Sequence, residues 1–304
     1  MRNLKYNILS VDNYIDATKA EVSASKLPFI NLHEPALKNS YKAFMERIHP
    51  CTLETLTPVW PELASDSLLV QVQKKLDRDT MSKLYDNSDK QPYWDELIRQ
   101  NDGTEIMCPI CGIRISDQLD HYIPREKMPE FSLFAPNIIP ICNKCNGKKL
   151  AKWLSPYGQR LIFNAFYDEL PDKPICECVI DIDNNGLPQA SIMVSSQLDN
   201  SNPIDNRILT TIDKLNLVTR WQGHCKRLFL KALIKMIRKC QPVSGKTVED
   251  RWKEYCDDLK ADVSDSTVTT YIEGVMYIGM INSQVLKKWI CDYWNGQLTP
   301  KLVV

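Results

Sequence analysis

Two cysteine pairs frame the stretch of sequence that decides the fold: Cys108-Pro109-Ile110-Cys111 and, thirty residues later, Cys142-Asn143-Lys144-Cys145. Each pair is a tight turn that offers two thiolates to one ion, and four thiolates are the ligands of a closed tetrahedral zinc site. Such a site is structural, because it leaves no coordination position for water or substrate. The spacing therefore predicts a finger stapled by zinc, which uses four of the 11 cysteines.

Three polar motifs lie between and directly after these pairs. They are Asp120-His121-Tyr122-Ile123-Pro124, Asn137-Ile138-Ile139-Pro140 and Asn146-Gly147-Lys148-Lys149. The whole succession, CPIC…LDHYIPR…FSLFAPNIIPICNKCNGKK, resembles the HNH nucleases of the ββα-metal, treble-clef type. The resemblance covers residues 108–149. It implies a finger in which the histidine lies on a hairpin and the last polar residue faces it from a helix.

The resemblance implies a role for each polar residue. His121 is the candidate general base, since a neutral imidazole with a pKa of about 6.5 can take a proton from water at cellular pH. Asp120 and Asn146 are the candidate ligands of a catalytic cation. An asparagine in place of the family's second histidine favours an oxygen-preferring ion, Mg²⁺ or Mn²⁺. Asn137 is expected to tie the loop backbone so that the histidine is aimed. The residues alone leave an alternative open, in which Asp120 and His121 form a structural pair in a non-catalytic finger.

Two groups of basic residues are candidate contacts for a nucleic-acid backbone. Lys148, Lys149 and Arg125 belong to the finger. A later amphipathic helical pattern carries a basic stripe at steps of three and four, consisting of Arg220, His224, Arg227, Lys231, Lys235 and Arg238. Arg227, Lys231 and Lys235 are the DNA-contact candidates of this stripe, with a merely solvated face as the alternative.

The acidic residues form no comparable motif. Asp117, Glu126 and Glu130 lie near the histidine in sequence, but nothing in their spacing singles them out. We therefore expect them on a solvated face. Residues 161–206 contain one Lys against eight acidic residues, which predicts an acidic segment between two more basic ones.

The rest of the chain predicts a mainly α fold with the finger as a small α+β insert. The predicted regions are a helical N-terminal region at 1–100, the finger at 101–165, a hairpin and acidic linker at 166–206, and a helical C-terminal region with the basic helix at 207–304. Alternating residues predict the hairpin, with strands Cys176 to Ile182 and Gln189 to Val194 joined through Asn184-Asn185-Gly186.

Composition narrows the function classes. The 304 residues contain 38 Lys and Arg against 38 Asp and Glu, so the formal net charge is zero. This balance argues against a general nucleic-acid coat or a polybasic membrane binder. The sequence offers neither a signal peptide nor an apolar run long enough to cross a bilayer, and scattered thiols favour a reducing compartment. We expect a cytoplasmic protein without a membrane partner.

The leading hypothesis is a metal-dependent endonuclease that cuts DNA, with RNA as an alternative substrate. The resemblance extends to HNH components of prokaryotic anti-phage systems, which implies a protein partner such as an ATPase. A non-catalytic zinc-finger adaptor that binds nucleic acid or protein is the alternative function.

Overall fold

A computed structural model describes residues 1–7, 9–48, 52–61, 63, 65–101, 105–264 and 271–298. These residues form ten α-helices and four β-strands. The helices are α1 (Val11–Glu21), α2 (Leu27–Ile48), α3 (Leu68–Leu84), α4 (Gln91–Gln100), α5 (Asn143–Lys149), α6 (Pro203–Lys214), α7 (Leu217–Lys239), α8 (Val248–Ser264), α9 (Tyr271–Asn282) and α10 (Gln284–Trp294). The strands are β1 (Gln118–His121), β2 (Ile138–Ile141), β3 (Cys176–Ile182) and β4 (Pro188–Val194).

The predicted class, mainly α with a small β component, is confirmed at this level. The strands pair as two antiparallel two-stranded sheets, β1 with β2 and β3 with β4. None of the helices in the described ranges has the length and hydrophobicity needed to span a bilayer.

The chain divides into two compact units. An N-terminal unit comprises residues 2–110 and 114–170, and a C-terminal unit comprises residues 171–304 together with residue 1 and residues 111–113. The four regions expected from the sequence are a finer division, which stays a prediction.

An aromatic cluster forms the core of the N-terminal unit. Tyr41 and Phe44 on α2 pack against Phe131 and Phe134, which lie in the loop between β1 and β2. The ring centroids of Tyr41 and Phe134 are 4.1 Å apart, and those of Phe44 and Phe131 are 5.1 Å apart. All four side chains are buried. Burial of several aromatic rings is worth several kcal/mol, so α2 fixes the course of this loop.

The hairpin of β1 and β2 and the short helix α5 form the centre of the finger. Asp120 pairs with Ile139 and His121 with Ile138 across the two strands. Every residue of β2 is buried, whereas β1 becomes buried only at His121, its last residue. His121 therefore lies at the buried end of the hairpin, opposite Ile138.

The second hairpin packs between helices of the C-terminal unit. Its strands agree with the predicted ones to within one residue, and Gly186 at the turn has a φ of 76°, a value that favours glycine. From α7, the Gln222 side chain accepts a hydrogen bond from Ile192 N at 2.6 Å and donates one to Ala190 O at 2.7 Å. Helix α9 packs against β3 at Gly279, where an added Cβ would lie 2.5 Å from Cys178 O.

This close approach gives a test of the C-terminal fold. Gly279→Ala should destabilise the protein by about 2 kcal/mol or more, because backbone atoms cannot move aside as a flexible side chain can. Gly274→Ala is the matched control on the same helix, since its added Cβ would meet nothing within 4 Å. The control should be neutral or stabilising by about 0.5–1 kcal/mol, because alanine favours helix. Urea unfolding of both variants measures this difference, and equal free energies of unfolding would contradict the packing.

Candidate active site and metal centre

Four buried cysteines come together as the sequence predicts. The Sγ atoms of Cys108, Cys111, Cys142 and Cys145 all lie within 4.8 Å of one another, and the cluster can hold a metal ion. Gly112 follows the first pair with a φ of 65°, which permits the tight turn. Four soft sulfur ligands at this spacing fit a structural zinc ion. Elsewhere in the described ranges, no three His, Cys, Asp or Glu side chains form such a group.

The second cysteine pair begins α5 and positions Asn146. Cys142 O accepts hydrogen bonds from Cys145 N at 2.9 Å and Asn146 N at 3.0 Å, and Asp117 Oδ1 accepts one from Asn143 N at 2.7 Å. The same four-residue motif therefore supplies two thiolates and starts the helix. Asn146 lies in the first turn and a half of that helix.

His121 is held by one defined hydrogen bond. Its Nε2 lies 2.8 Å from Ser132 O. A carbonyl oxygen only accepts, so Nε2 carries the proton and Nδ1 carries the lone pair of the neutral ring. Tyr85 packs edge-on against the imidazole with centroids 4.3 Å apart. The ring is thus fixed in both tautomer and orientation.

The imidazole is also kept neutral. His121 is only 6% exposed, and this burial lowers its pKa to about 3. The charged groups of Arg125 and Lys149 lower the pKa further, while the Ser132 carbonyl opposes the shift. The ring is consequently neutral at neutral pH, and it is a weaker base than the imidazole with a pKa of about 6.5 expected from the sequence.

Asn137 ties together the backbone around the histidine. The side chain is fully buried, its Oδ1 accepts from Ile123 N at 2.8 Å, and its Nδ2 donates to Ile123 O at 3.0 Å. Its own carbonyl accepts from Tyr122 N at 2.7 Å. These bonds hold the two residues that follow His121, and an orienting role for Asn137 stays a prediction.

Asp120 lies beside a buried lysine. Lys149 Nζ is 2.8 Å from Asp120 Oδ2 and donates to His121 O at 2.8 Å. Desolvation raises the pKa of the Asp120 carboxyl, and the ammonium opposes that shift. The Lys149 side chain is fully buried, so its ammonium faces Asp120 instead of the surface position expected from the sequence. Of the two lysines on this helix, Lys148 is exposed, and a phosphate contact by it stays a prediction.

The Asn146 side chain is oriented by a hydrogen bond to Gln118. Its Nδ2 donates to Gln118 Oε1 at 2.9 Å, which directs the amide oxygen away from Gln118. One oxygen of Asp120 accompanies Lys149, and the carboxylate has a second. A carboxylate and an amide oxygen are ligands that Mg²⁺ and Mn²⁺ accept, so the residues present fit such an ion.

Asp120, His121 and Asn146 line one cleft of about 360 Å³. Its lining residues are Ser82, Tyr85, Leu119, Asp120, His121, Pro124, Arg125, Glu126, Asn146, Leu150 and Ala151. Arg125 is held at the wall by Ser82 O at 2.9 Å and Asp86 Oδ1 at 2.8 Å. The end of α3 and the turn after it therefore form part of the site, although the sequence of the first 100 residues suggests no chemistry.

Sequence reasoning also missed a buried ionic network behind the site. Arg160 Nη2 donates to Asp168 Oδ1 at 2.9 Å, and Arg160 Nη1 donates to Tyr122 Oη at 3.2 Å. Tyr122 Oη donates in turn to Ile162 O at 2.8 Å. Tyr122 follows the histidine directly, so this network supports the loop at its base. An arginine and an aspartate eight residues apart give no sequence signal of such a pairing.

Glu130 corrects an expectation from the sequence. It is fully buried, whereas Asp117 and Glu126 are exposed as expected. Its Oε1 accepts from Val59 N at 2.8 Å, and its Oε2 has no hydrogen-bond partner within the described residues. Desolvation raises the pKa of this carboxyl to about 7. The sequence prediction was wrong because the short helix Pro129–Phe131 turns the side chain toward the core.

Comparison with known proteins gives a relative from a phage. The chain is 35% identical over 238 residues to protein ea31 of Escherichia phage lambda, covering 71% of this chain and 74% of that protein. The chain belongs to the ea31 family. No family model matches the sequence, and no solved structure matches it. The name ea31 states no activity.

The basic residues predicted on the later helix lie in the C-terminal unit of this ea31 relative. Arg227, Lys231 and Lys235 are exposed on α7, while Trp221 and Phe229 on the opposite face are buried. The amphipathic pattern is thus as the sequence predicts, and a DNA contact on this face stays a prediction.

Zinc content tests the cysteine cluster. The purified protein should carry about one zinc ion per chain, and Cys145→Ser should lower the content to near zero because three thiolates bind far more weakly. Cys240→Ser is the matched control, since Cys240 is equally buried but lies outside the cluster. Elemental analysis after dialysis measures both. Equal zinc contents in Cys145→Ser and the wild type would contradict the assignment.

The buried carboxyl of Glu130 predicts a pH-dependent stability. Its pKa is raised from 4.5 to about 7, so its favourable contribution is present below pH 4.5 and is lost as pH rises through 7. Glu130→Gln should therefore match the wild type near pH 4.5 and exceed its free energy of unfolding by on the order of 3 kcal/mol at pH 8. Urea unfolding across this range measures the difference. The exposed control, Glu126→Gln, should show none, and a flat profile for Glu130→Gln would refute the burial.

Proposed function

We propose that the chain is a metal-dependent endonuclease that hydrolyses phosphodiester bonds in DNA. One observation carries the proposal: a neutral His121, whose Nε2 donates to Ser132 O, lines the same cleft as the oxygen ligands Asp120 and Asn146. A general base beside a hard-cation site is the combination that phosphodiester hydrolysis needs.

The proposed reaction begins with a water molecule at Nδ1 of His121. Nδ1 takes a proton as the water oxygen forms a bond to phosphorus, and the bond from phosphorus to the leaving oxygen breaks on the opposite side. The leaving oxygen then takes up a proton from solvent. A divalent cation held by Asp120 and Asn146 would supply stabilisation of the negative charge on the phosphoryl and leaving oxygens.

The surrounding residues support this chemistry by positioning. Asn137 holds the backbone after His121, and Lys149 keeps the Asp120 carboxyl in place while its own charge is neutralised. Lys148 and Arg125 are proposed to contact phosphates beside the scissile bond, and Arg227, Lys231 and Lys235 to contact a nucleic-acid backbone.

The wider biological setting is proposed on the HNH resemblance. Zinc is the proposed structural ion, and Mg²⁺ or Mn²⁺ the proposed catalytic ion. The resemblance to anti-phage components suggests a cytoplasmic effector that acts with a protein partner, with an ATPase as the first candidate.

Plasmid cleavage tests the nuclease proposal. Wild type, His121→Ala and the control His33→Ala are compared with supercoiled plasmid and Mg²⁺ or Mn²⁺. His121→Ala should lower the cleavage rate about 10²- to 10⁴-fold, the usual contribution of a general base, whereas His33→Ala should cut as the wild type does. His33 lies in the same unit and is paired with Asp77 at 3.7 Å.

Two results would contradict the proposal. Undiminished cleavage by His121→Ala would remove the histidine from the reaction. Binding of DNA without cleavage by any of the three proteins would favour the non-catalytic adaptor. Structured and single-stranded RNA in the same assay decide between DNA and RNA as substrate.

A further inference from the structure

Leu150 adopts a backbone conformation that disfavours leucine. It follows α5 with φ 48° and ψ −135°, and Lys152 N donates to Lys149 O at 2.9 Å across the turn. These are the angles of the first central residue of a type II′ turn, a position dominated by glycine. A residue other than glycine is strained there, at a cost of about 1–3 kcal/mol.

The Leu150 side chain contributes little to the stability of the fold. It is 65% exposed, so it contributes little of the burial that stabilises a core leucine. The residue before it, Lys149, is buried, with its ammonium bound to Asp120 and to His121 O. Glycine at position 150 would adopt the same backbone angles without strain.

The exposed side chain stands at the catalytic cleft. Leu150 lines it together with His121 and Asn146, and Leu119 and Ala151 are apolar neighbours in the same lining. The cleft thus has charged and polar groups suited to a phosphate and an apolar side suited to a sugar or base. Apolar side chains presented in this way pack against nucleosides in protein complexes with nucleic acids.

We propose that Leu150 is a substrate-contacting residue whose side chain packs against the nucleoside next to the scissile phosphate and thereby strengthens binding of the strand in the cleft. The proposal rests on the nuclease function. The strained turn places this apolar side chain at the cleft.

The substitutions separate side chain from strain. Leu150→Gly removes both, Leu150→Ala removes the side chain and keeps the strain, and Leu150→Met restores an apolar side chain of similar reach. Leu32→Ala is the control, because Leu32 is also exposed in the same unit and does not line the cleft.

Two measurements are made on each variant. In the His121→Ala background, fluorescence anisotropy with a short labelled DNA duplex and Mg²⁺ should give about three- to tenfold weaker binding for Leu150→Gly and Leu150→Ala. In the otherwise wild-type protein, KM should rise by the same factor with kcat changed less than about twofold. Leu150→Met should recover both, and Leu150→Gly should melt at or above the wild-type temperature.

The outcomes distinguish this inference from the nuclease proposal. Wild-type binding and KM for Leu150→Gly would overturn the inference and leave the nuclease standing. A lower melting temperature for both Leu150→Gly and Leu150→Ala would overturn it in favour of a structural role. If the wild type does not cleave, the nuclease proposal fails, and the anisotropy comparison alone decides whether Leu150 contacts nucleic acid.

Discussion

Four thiolates in one small buried volume are the constraint on which the finger depends. The strands β1 and β2 have four residues each and α5 has seven, lengths that are too short to be stable alone. Thiolates brought this close repel one another unless a cation neutralises them, so metal binding at this cluster would be coupled to the folding of the segment. The second anchor is apolar, because Phe131 and Phe134 insert between the aromatic rings of α2. His121 thus belongs to a segment that contains both the cysteine cluster and the aromatic core.

The interior of the N-terminal unit contains two ion pairs. Lys149 with Asp120, and Arg160 with Asp168, are ion pairs whose basic members are fully buried. Burial of a charge costs several kcal/mol unless its partner is well placed, so these pairs restrict the loops to which they bind. The same low-dielectric surroundings keep the imidazole neutral. Burial thus has two effects in this unit. It restricts the ion-paired side chains, and it keeps the His121 ring neutral.

The parts of the structure that the sequence could predict depend on local patterns. The cysteine spacing, the hairpin around Gly186 and the amphipathic stripe of α7 each depend on residues close together in sequence. The burial of Lys149 depends on Asp120 and His121, which are 29 and 28 residues away. The burial of Glu130 depends on Val59, 71 residues away. No spacing rule reports such pairs. The strained turn at Leu150 was invisible for another reason, because a leucine in the sequence argues against the backbone angles that it adopts.

The side chain of Gln222 forms hydrogen bonds with the free edge of β4 in the C-terminal unit. By accepting from Ile192 N and donating to Ala190 O, one amide replaces the two bonds that a third strand would make to β4. An open strand edge is a template on which another chain can extend the sheet, and such pairing leads to swapped dimers or fibrils. A single glutamine from a neighbouring helix therefore occupies this part of the β4 edge, where another chain would otherwise pair.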